Sequence, residues 1–149
     1  TSTVGTVALV KDGLGDEDTP LDPKSLHGHY KRSKLQAERE ALALAAAGMP
    51  LVVVNPTAPV GPWDVKPTPT GKMVLDFLRR KIPAYLKTGM NVVDVADVVE
   101  GHILALEKGK SGERYILGNR NVSLKEIFDI LSSQTGLPAP QGVVILTGP

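Results

Sequence analysis

Tyr30 and Lys34 lie four residues apart in a stretch, residues 30–47, that holds neither glycine nor proline and is dense in Ala, Leu, Glu, Lys and Arg. Such a stretch forms a helix, and helix positions i and i+4 project from one face about a turn apart. A lysine ammonium close to a phenol favours the phenolate, bringing the tyrosine pKa down from about 10 and making it a usable acid/base near neutrality. Alone the pair says little, because a Tyr-x-x-x-Lys pair on a helix is commonly a solvated surface pair. Two more groups bear on it. Residues 4–10, β-branched and small, suit the end of a strand and the loop after it. That places the hydroxyls of Ser2 and Thr3 where hydroxyl, phenol and ammonium can converge.

The elements that would position these groups follow in order. Residues 11–23 form a loop rich in glycine, proline and acids. The helix stops at Gly48, with Pro50 beyond, and its Ala37, Ala41 and Leu44 or Ala45 make a stripe of mainly small residues suited to packing on a sheet. Leu51-Val-Val-Val54 is apolar on both faces, as in a parallel strand covered by helices. Helix followed by buried strand points to an α/β fold. Residues 56–70 read as a long Pro-rich loop at that strand's carboxyl end, where open parallel sheets place their ligands. A short helix is expected over 72–81, a strand over 91–93, and a helix capped by Asp94 and running to 108. Its apolar stripe is Val95, Val98, Val99, His102, Ile103 and Leu106, on which His102 reads as a satisfied, semi-buried histidine. Residues 114–117 form a further strand. Ser123-Leu-Lys-Glu126 is a capping box for a helix to 134, closed by Gly136.

Composition removes several classes of function. With 17 basic against 16 acidic residues, a net charge of +1, the chain has no electrostatic footprint for nucleic acid. Without cysteine, thiolate catalysis, disulfides and Cys-ligated zinc are excluded. His27, His29 and His102 lack metal-ligand spacing, so no metal is expected. The longest apolar stretch, residues 41–54, is broken by Gly48 and Pro50, and no membrane span is expected.

Six stretches in fixed order carry a resemblance. They are Thr-Ser-Thr-Val at the start, Gly-His-Tyr-Lys-Arg-Ser-Lys-Leu-Gln-Ala-Glu, Val-Val-Val-Asn-Pro-Thr-Ala-Pro-Val-Gly-Pro, Lys-Pro-Thr-Pro-Thr-Gly, Asn-Val-Val-Asp-Val-Ala-Asp-Val and Gly-Glu-Arg-Tyr-Ile-Leu-Gly. Over residues 1–140 the sequence resembles the extended short-chain dehydrogenase/reductases, the NAD-dependent epimerase/dehydratase group. Within that group it is similar to hopanoid-associated sugar epimerases and dihydroflavonol-4-reductase-like proteins. The resemblance implies a partial Rossmann-like parallel sheet with part of a small substrate-binding lobe. Residues 1–149 would be the carboxyl-terminal part of an NAD(P)-binding domain, with lobe segments at about 59–90 and 109–140 and an unassigned tail at 141–149.

The same resemblance implies roles for residues. Tyr30 would be the catalytic acid/base, Lys34 would bind the nicotinamide ribose, and Thr3 would hydrogen-bond the substrate oxygen. Asn55, Pro56 and Thr57 would lie against the nicotinamide and the substrate entrance. Thr68 and Thr70, with Lys66 and Lys72, are candidate substrate contacts or equally a solvated loop. The family's His-Val-x-Asp-x-Ala motif fits with its acid at Asp94 or Asp97, and in neither register does histidine fill the first place. The implied chemistry is hydride exchange between NAD or NADP and a nucleotide sugar or a ketone or alcohol, in a cytoplasmic homodimer.

The sequence also departs from the family. No Gly-x-x-Gly-x-x-Gly turn is present; Gly13 and Gly15 lie in an acidic loop and do not match it. The residue that would choose NAD or NADP is absent as well. The chain therefore reads as the carboxyl-terminal half of an enzyme, and residues 141–149 as a truncation or a foreign tail. The competing reading is a non-catalytic fragment or a regulatory nucleotide-binding relative. An intact Tyr30 and Lys34 argue against a degenerate regulator but not against a fragment.

Overall fold

The computed structural model describes residues 1–144 apart from 9, 11, 12, 20 and 27. His27, weighed above as a metal ligand, and residues 145–149 of the tail lie outside the described residues. The chain divides into two units, one of Thr1–Thr57 with Val95–Gly118, the other of Ala58–Asp94 with the residues from Asn119 on.

In the first unit the expected helix is α1, His29–Ala46, and it ends ahead of Gly48, whose φ of +100° a side chain would resist. Strand β1, Val53–Pro56, begins two residues later than the valine run suggests. The Leu51 carbonyl accepts from Gly112 N–H and the Leu51 N–H donates to the Ser111 hydroxyl, so those groups are taken before the ladder starts. Parallel to β1 runs β5, Arg114–Leu117, with Val53 opposite Arg114 and Asn55 opposite Ile116. Helix α3, Val95–Lys108, lies against both strands. Gly101 sets its closest approach, since a Cβ there would come within 2.7 Å of the Leu117 side chain.

Three expectations change in this unit. Residues 4–8 and 10 do not continue a strand; Val4–Thr6 is a single 3-10 turn, with the Thr3 hydroxyl accepting from Gly5 N–H at its start. The fully buried residues of α1 are Leu35 and Glu38; of the small-residue stripe, Ala41 and Ala45 are half-buried, whereas Ala37 is exposed and Leu44 is half exposed. On α3, Val98 and Ala105 turn inward with Gly101, whereas Val99, Ile103 and Leu106 face outward. Both helices carry apolar residues on more than one face, so periodicity leaves the inward face open. Close contact, at Gly101 in α3 and at Glu38 in α1, selects it.

In the second unit, the stretch expected to be a loop after β1 contains β2, Ala58–Val60, and the start of α2, Pro69–Leu78. Thr68 caps α2 with its hydroxyl, and Pro69 takes the first helical position, where its missing N–H costs nothing. Strand β4, Gly89–Asp94, pairs parallel with β2 and antiparallel with β6, Arg120–Ser123. Helix α4, Leu124–Thr135, opens with the expected Ser123–Glu126 capping box and closes at Gly136. Strand β3, Ala84–Leu86, pairs with β7, Gly142–Val144, so part of the unassigned tail forms a strand. Phe77 of α2 stacks on Phe128 of α4 at 5.8 Å, and Tyr85 of β3 tilts onto the same ring at 5.8 Å. Phe128, 2% exposed, is thus the aromatic on which two helices and a strand meet.

Truncating Phe128 to Ala removes that centre and is expected to lower unfolding free energy by about 3–5 kcal/mol. Chemical denaturation followed by circular dichroism measures it. A loss under ~1 kcal/mol would show that the ring is not the core of its unit.

Candidate active site

The first unit gathers the residues that the sequence marks for chemistry. Tyr30 and Lys34 stand one turn apart at the start of α1, and Tyr30 is 64% exposed. The Lys34 ammonium donates to the Thr1 carbonyl at 3.1 Å, which brings the helix to the Thr1–Thr3 segment. The Thr1 hydroxyl lies 2.8 Å from Nε2 of His102 on α3, and Nδ1 of that ring lies 2.7 Å from the Val98 carbonyl. A carbonyl only accepts, so Nδ1 carries a proton and donates to it, and Nε2 meets the Thr1 hydroxyl, which can serve as its hydrogen-bond partner. His102 is therefore the satisfied, half-buried histidine the sequence suggests. The Ser2 N–H donates to the Val54 carbonyl at 2.8 Å, tying the same segment to β1.

Behind Thr3 lies a buried polar cluster that sequence reasoning missed. Thr6, Glu38 and Asn55 are 1%, 4% and 0% exposed. The Asn55 amide nitrogen lies 3.1 Å from the Thr3 carbonyl, 3.0 Å from the Thr6 hydroxyl and 2.8 Å from Glu38 Oε2. The Thr6 hydroxyl is 2.8 Å from both the Thr3 carbonyl and Glu38 Oε2. Arg114 Nη1 donates to Glu38 Oε1 at 2.9 Å. Burial works against ionisation of Glu38, but the Ser2 hydroxyl, Arg114, Thr6 and Asn55 outweigh it and hold the carboxyl below the usual glutamate range. Ser2 acts as a nearby dipole only, as its hydroxyl meets no hydrogen-bond geometry. The signal was present in the sequence: Tyr30, Lys34 and Glu38 repeat at four-residue spacing along one helix.

At the carboxyl end of β1, Asn55 Oδ1 and Thr57 Oγ1 are buried with no partner among the described residues. Pro56 between them is half-buried. The Thr3 hydroxyl accepts from Gly5 N–H and keeps its own proton to give.

The remaining candidates belong to the second unit. Thr68 donates its hydroxyl to Asp64 while capping α2, and Lys72 pairs with Asp76 on the same helix. Lys66 is exposed. Thr70 lines a cleft of about 480 Å³ whose walls include Val60, Met73, Val92, Ile127 and Ile130. Arg120, also on this cleft, is paired to Glu126 at 3.6 Å. Asp94 closes β4 directly before α3, and Asp97 is exposed in the first turn of α3. Among the described residues no three His, Asp or Glu side chains gather as metal ligands, and no helix is long and apolar enough to cross a membrane.

The sequence profile of the NAD dependent epimerase/dehydratase family matches residues 1–118. The chain belongs to that family. It is 50% identical over 98% of its length to a protein of Synechocystis sp. that bears the name dihydroflavonol 4-reductase, covering 44% of that protein. Among solved structures of the NAD dependent epimerase/dehydratase type, a nucleoside-diphosphate-sugar epimerase from Pseudomonas aeruginosa matches 97% of the chain with a TM-score of 0.87 and 26% identity, over 48% of its own length. The dTDP-glucose 4,6-dehydratase of Bacillus anthracis, solved in complex with NAD, shares the fold at a TM-score of 0.80 and 24% identity; the match covers 99% of this chain and 48% of that one. The chain thus spans less than half the length of these relatives, and its mixed α/β fold with parallel strands is that of a partial Rossmann-type domain.

The depressed pKa of Glu38 has a consequence for stability. The unfolded chain, with an ordinary glutamate, binds the proton more tightly than the folded one, so this contribution is present above the ordinary range and is lost as acid carries pH down through the folded value. Unfolding free energy should therefore fall more steeply below about pH 5 in the native chain than in Glu38→Gln. Asp16, lowered by Thr19, Asp76 by Lys72 and Glu126 by Ser123 titrate in both proteins and cancel in the comparison. Parallel acid limbs in the two proteins would contradict the assignment.

Proposed function

We propose that the polypeptide carrying this sequence is an NAD(P)-dependent carbonyl reductase or epimerase in which Tyr30, Lys34 and Thr3 act on one carbon–oxygen bond. The observation that carries the reading is the tie between Lys34 and the Thr1 carbonyl, which holds the Tyr30 helix against the segment bearing the Thr3 hydroxyl. Tyr30 gives a proton to the substrate oxygen or takes one from it. Its exposure leaves the phenol open to a substrate. Thr3 donates its remaining proton to the same oxygen and orients it. Lys34, a fixed positive charge one turn from the phenol, favours the phenolate as that proton leaves.

The residues fit a nicotinamide dinucleotide on one point of geometry. Asn55 Oδ1, an acceptor, and Thr57 Oγ1, which can donate or accept, are buried and without partners among the described residues at the carboxyl end of a parallel strand, where such sheets hold ligands. Lys34 and Tyr30 would hold its ribose, and Asn55, Pro56 and Thr57 would border its nicotinamide. When bound, NAD or NADP supplies or accepts the hydride. Within the second unit, the apolar walls of the cleft and the pairing of Arg120 support a ketone or alcohol with an apolar body rather than a nucleotide sugar, with Thr70 as its polar contact.

The test uses a full-length polypeptide that joins these residues to a dinucleotide-binding half. Tyr30→Phe should retain nicotinamide binding while kcat for ketone reduction falls by about 10²–10⁴-fold. Lys34→Ala should lose both binding and turnover. Nicotinamide fluorescence and steady-state kinetics measure the two effects, and unchanged turnover in Tyr30→Phe would refute the assignment.

A further inference from the structure

The cluster behind Thr3 contains an ion pair that proton and hydride movement do not require. Its hydrogen count shows what holds it together. Asn55 brings two amide hydrogens and Thr6 one hydroxyl hydrogen, to be shared by the Thr3 carbonyl, the Thr6 oxygen and Glu38 Oε2. Arg114 brings a further hydrogen to Oε1. Glu38 thus meets donors on both oxygens, and only a group that accepts on both can satisfy them. A glutamine in its place would turn an NH₂ group either toward the guanidinium or toward Asn55 and Thr6.

The position of this acceptor matters as much as its charge. Glu38 lies one turn beyond Lys34 on α1. The segment from Thr1 to Thr6 is therefore fixed to one helix at both ends, by Lys34 on the Thr1 carbonyl and by Glu38 on the Thr6 hydroxyl, with Asn55 of β1 holding the Thr3 carbonyl between them. We infer that Glu38, clamped by Arg114, is a positioning residue: through Thr6 and Asn55 it fixes the backbone of Thr3 and hence the place of the Thr3 hydroxyl relative to Tyr30. This rests on the proposed function. Because Tyr30 and Lys34 stay on the helix whether or not Glu38 is charged, loss of the clamp moves the substrate-orienting hydroxyl and leaves the proposed ribose contacts of Tyr30 and Lys34 in place.

The experiment compares the full-length wild type with Glu38→Gln, Thr6→Val and the double variant Glu38→Gln/Arg114→Gln, with thermal unfolding recorded for each. Glu38→Gln should lower kcat by about 10- to 100-fold, as expected for a misplacement near ~1 Å, with KM for the nicotinamide largely unchanged. Thr6→Val keeps the ion pair and removes the hydroxyl link, and should lower kcat in the same way. The double variant should recover a large part of kcat, since its two introduced amides can pair with each other while the one at position 38 turns its carbonyl to Asn55 and Thr6. Wild-type kcat in Glu38→Gln or in Thr6→Val would overturn the inference. So would a double variant no better than the single one, or losses that follow thermal stability alone. No turnover in the wild type would overturn the proposed function itself, and the positioning role with it.

Discussion

A carboxylate with almost no access to water organises the first unit. An ionised group in such a place costs several kcal/mol in lost hydration, and the cost is met only where its partners are complete and well aimed. Glu38, on α1, has them from three other parts of the chain: Arg114 on β5, Asn55 on β1 and Thr6 in the 3-10 turn. Removing one partner of such a buried pair destabilises by about 3–5 kcal/mol, because the other charge is stranded. The parallel pairing of β1 with β5 and the seat of α1 therefore depend on one another through this group.

Chemistry and support share elements in consequence. α1 presents Tyr30 and Lys34 to the outside at its first turns and sends Glu38 inward one turn later. β1 buries Val53 and Val54 and then Asn55, whose side-chain amide nitrogen faces the scaffold while its Oδ1 has no partner among the described residues. Thr1 couples two helices, since its hydroxyl meets His102 of α3 and its carbonyl meets Lys34 of α1. A short segment with little secondary structure of its own is thereby held at defined points, as a hydroxyl that must orient one substrate oxygen requires.

Much of this was legible in the residues. The long helix, the buried strand after it, the capping box at Ser123 and the satisfied His102 follow from local rules, namely helix propensity, continuous apolarity and the spacing of capping groups. The faces of α1 and α3 did not, because apolar residues surround both helices and only tertiary contact at Glu38 and Gly101 selects the inward side. The short strands β2, β3, β6 and β7 escaped notice for another reason: each has three or four residues, too few for a period to register. Glu38 itself looked like one more helix-favouring charge. Its partners come from residues 6, 55 and 114, a conjunction that exists only once the chain is folded.

The most direct measurement of the central interaction is the behaviour of the Asn55 side-chain amide in NMR spectra across pH. If a buried, ionised Glu38 accepts from it, both amide protons should exchange slowly with solvent. Their shifts should stay constant through the ordinary glutamate range and change only at lower pH, as Glu38 takes up its proton. Rapid exchange, or a titration at the ordinary glutamate value, would contradict the account and leave Thr3 without the support described.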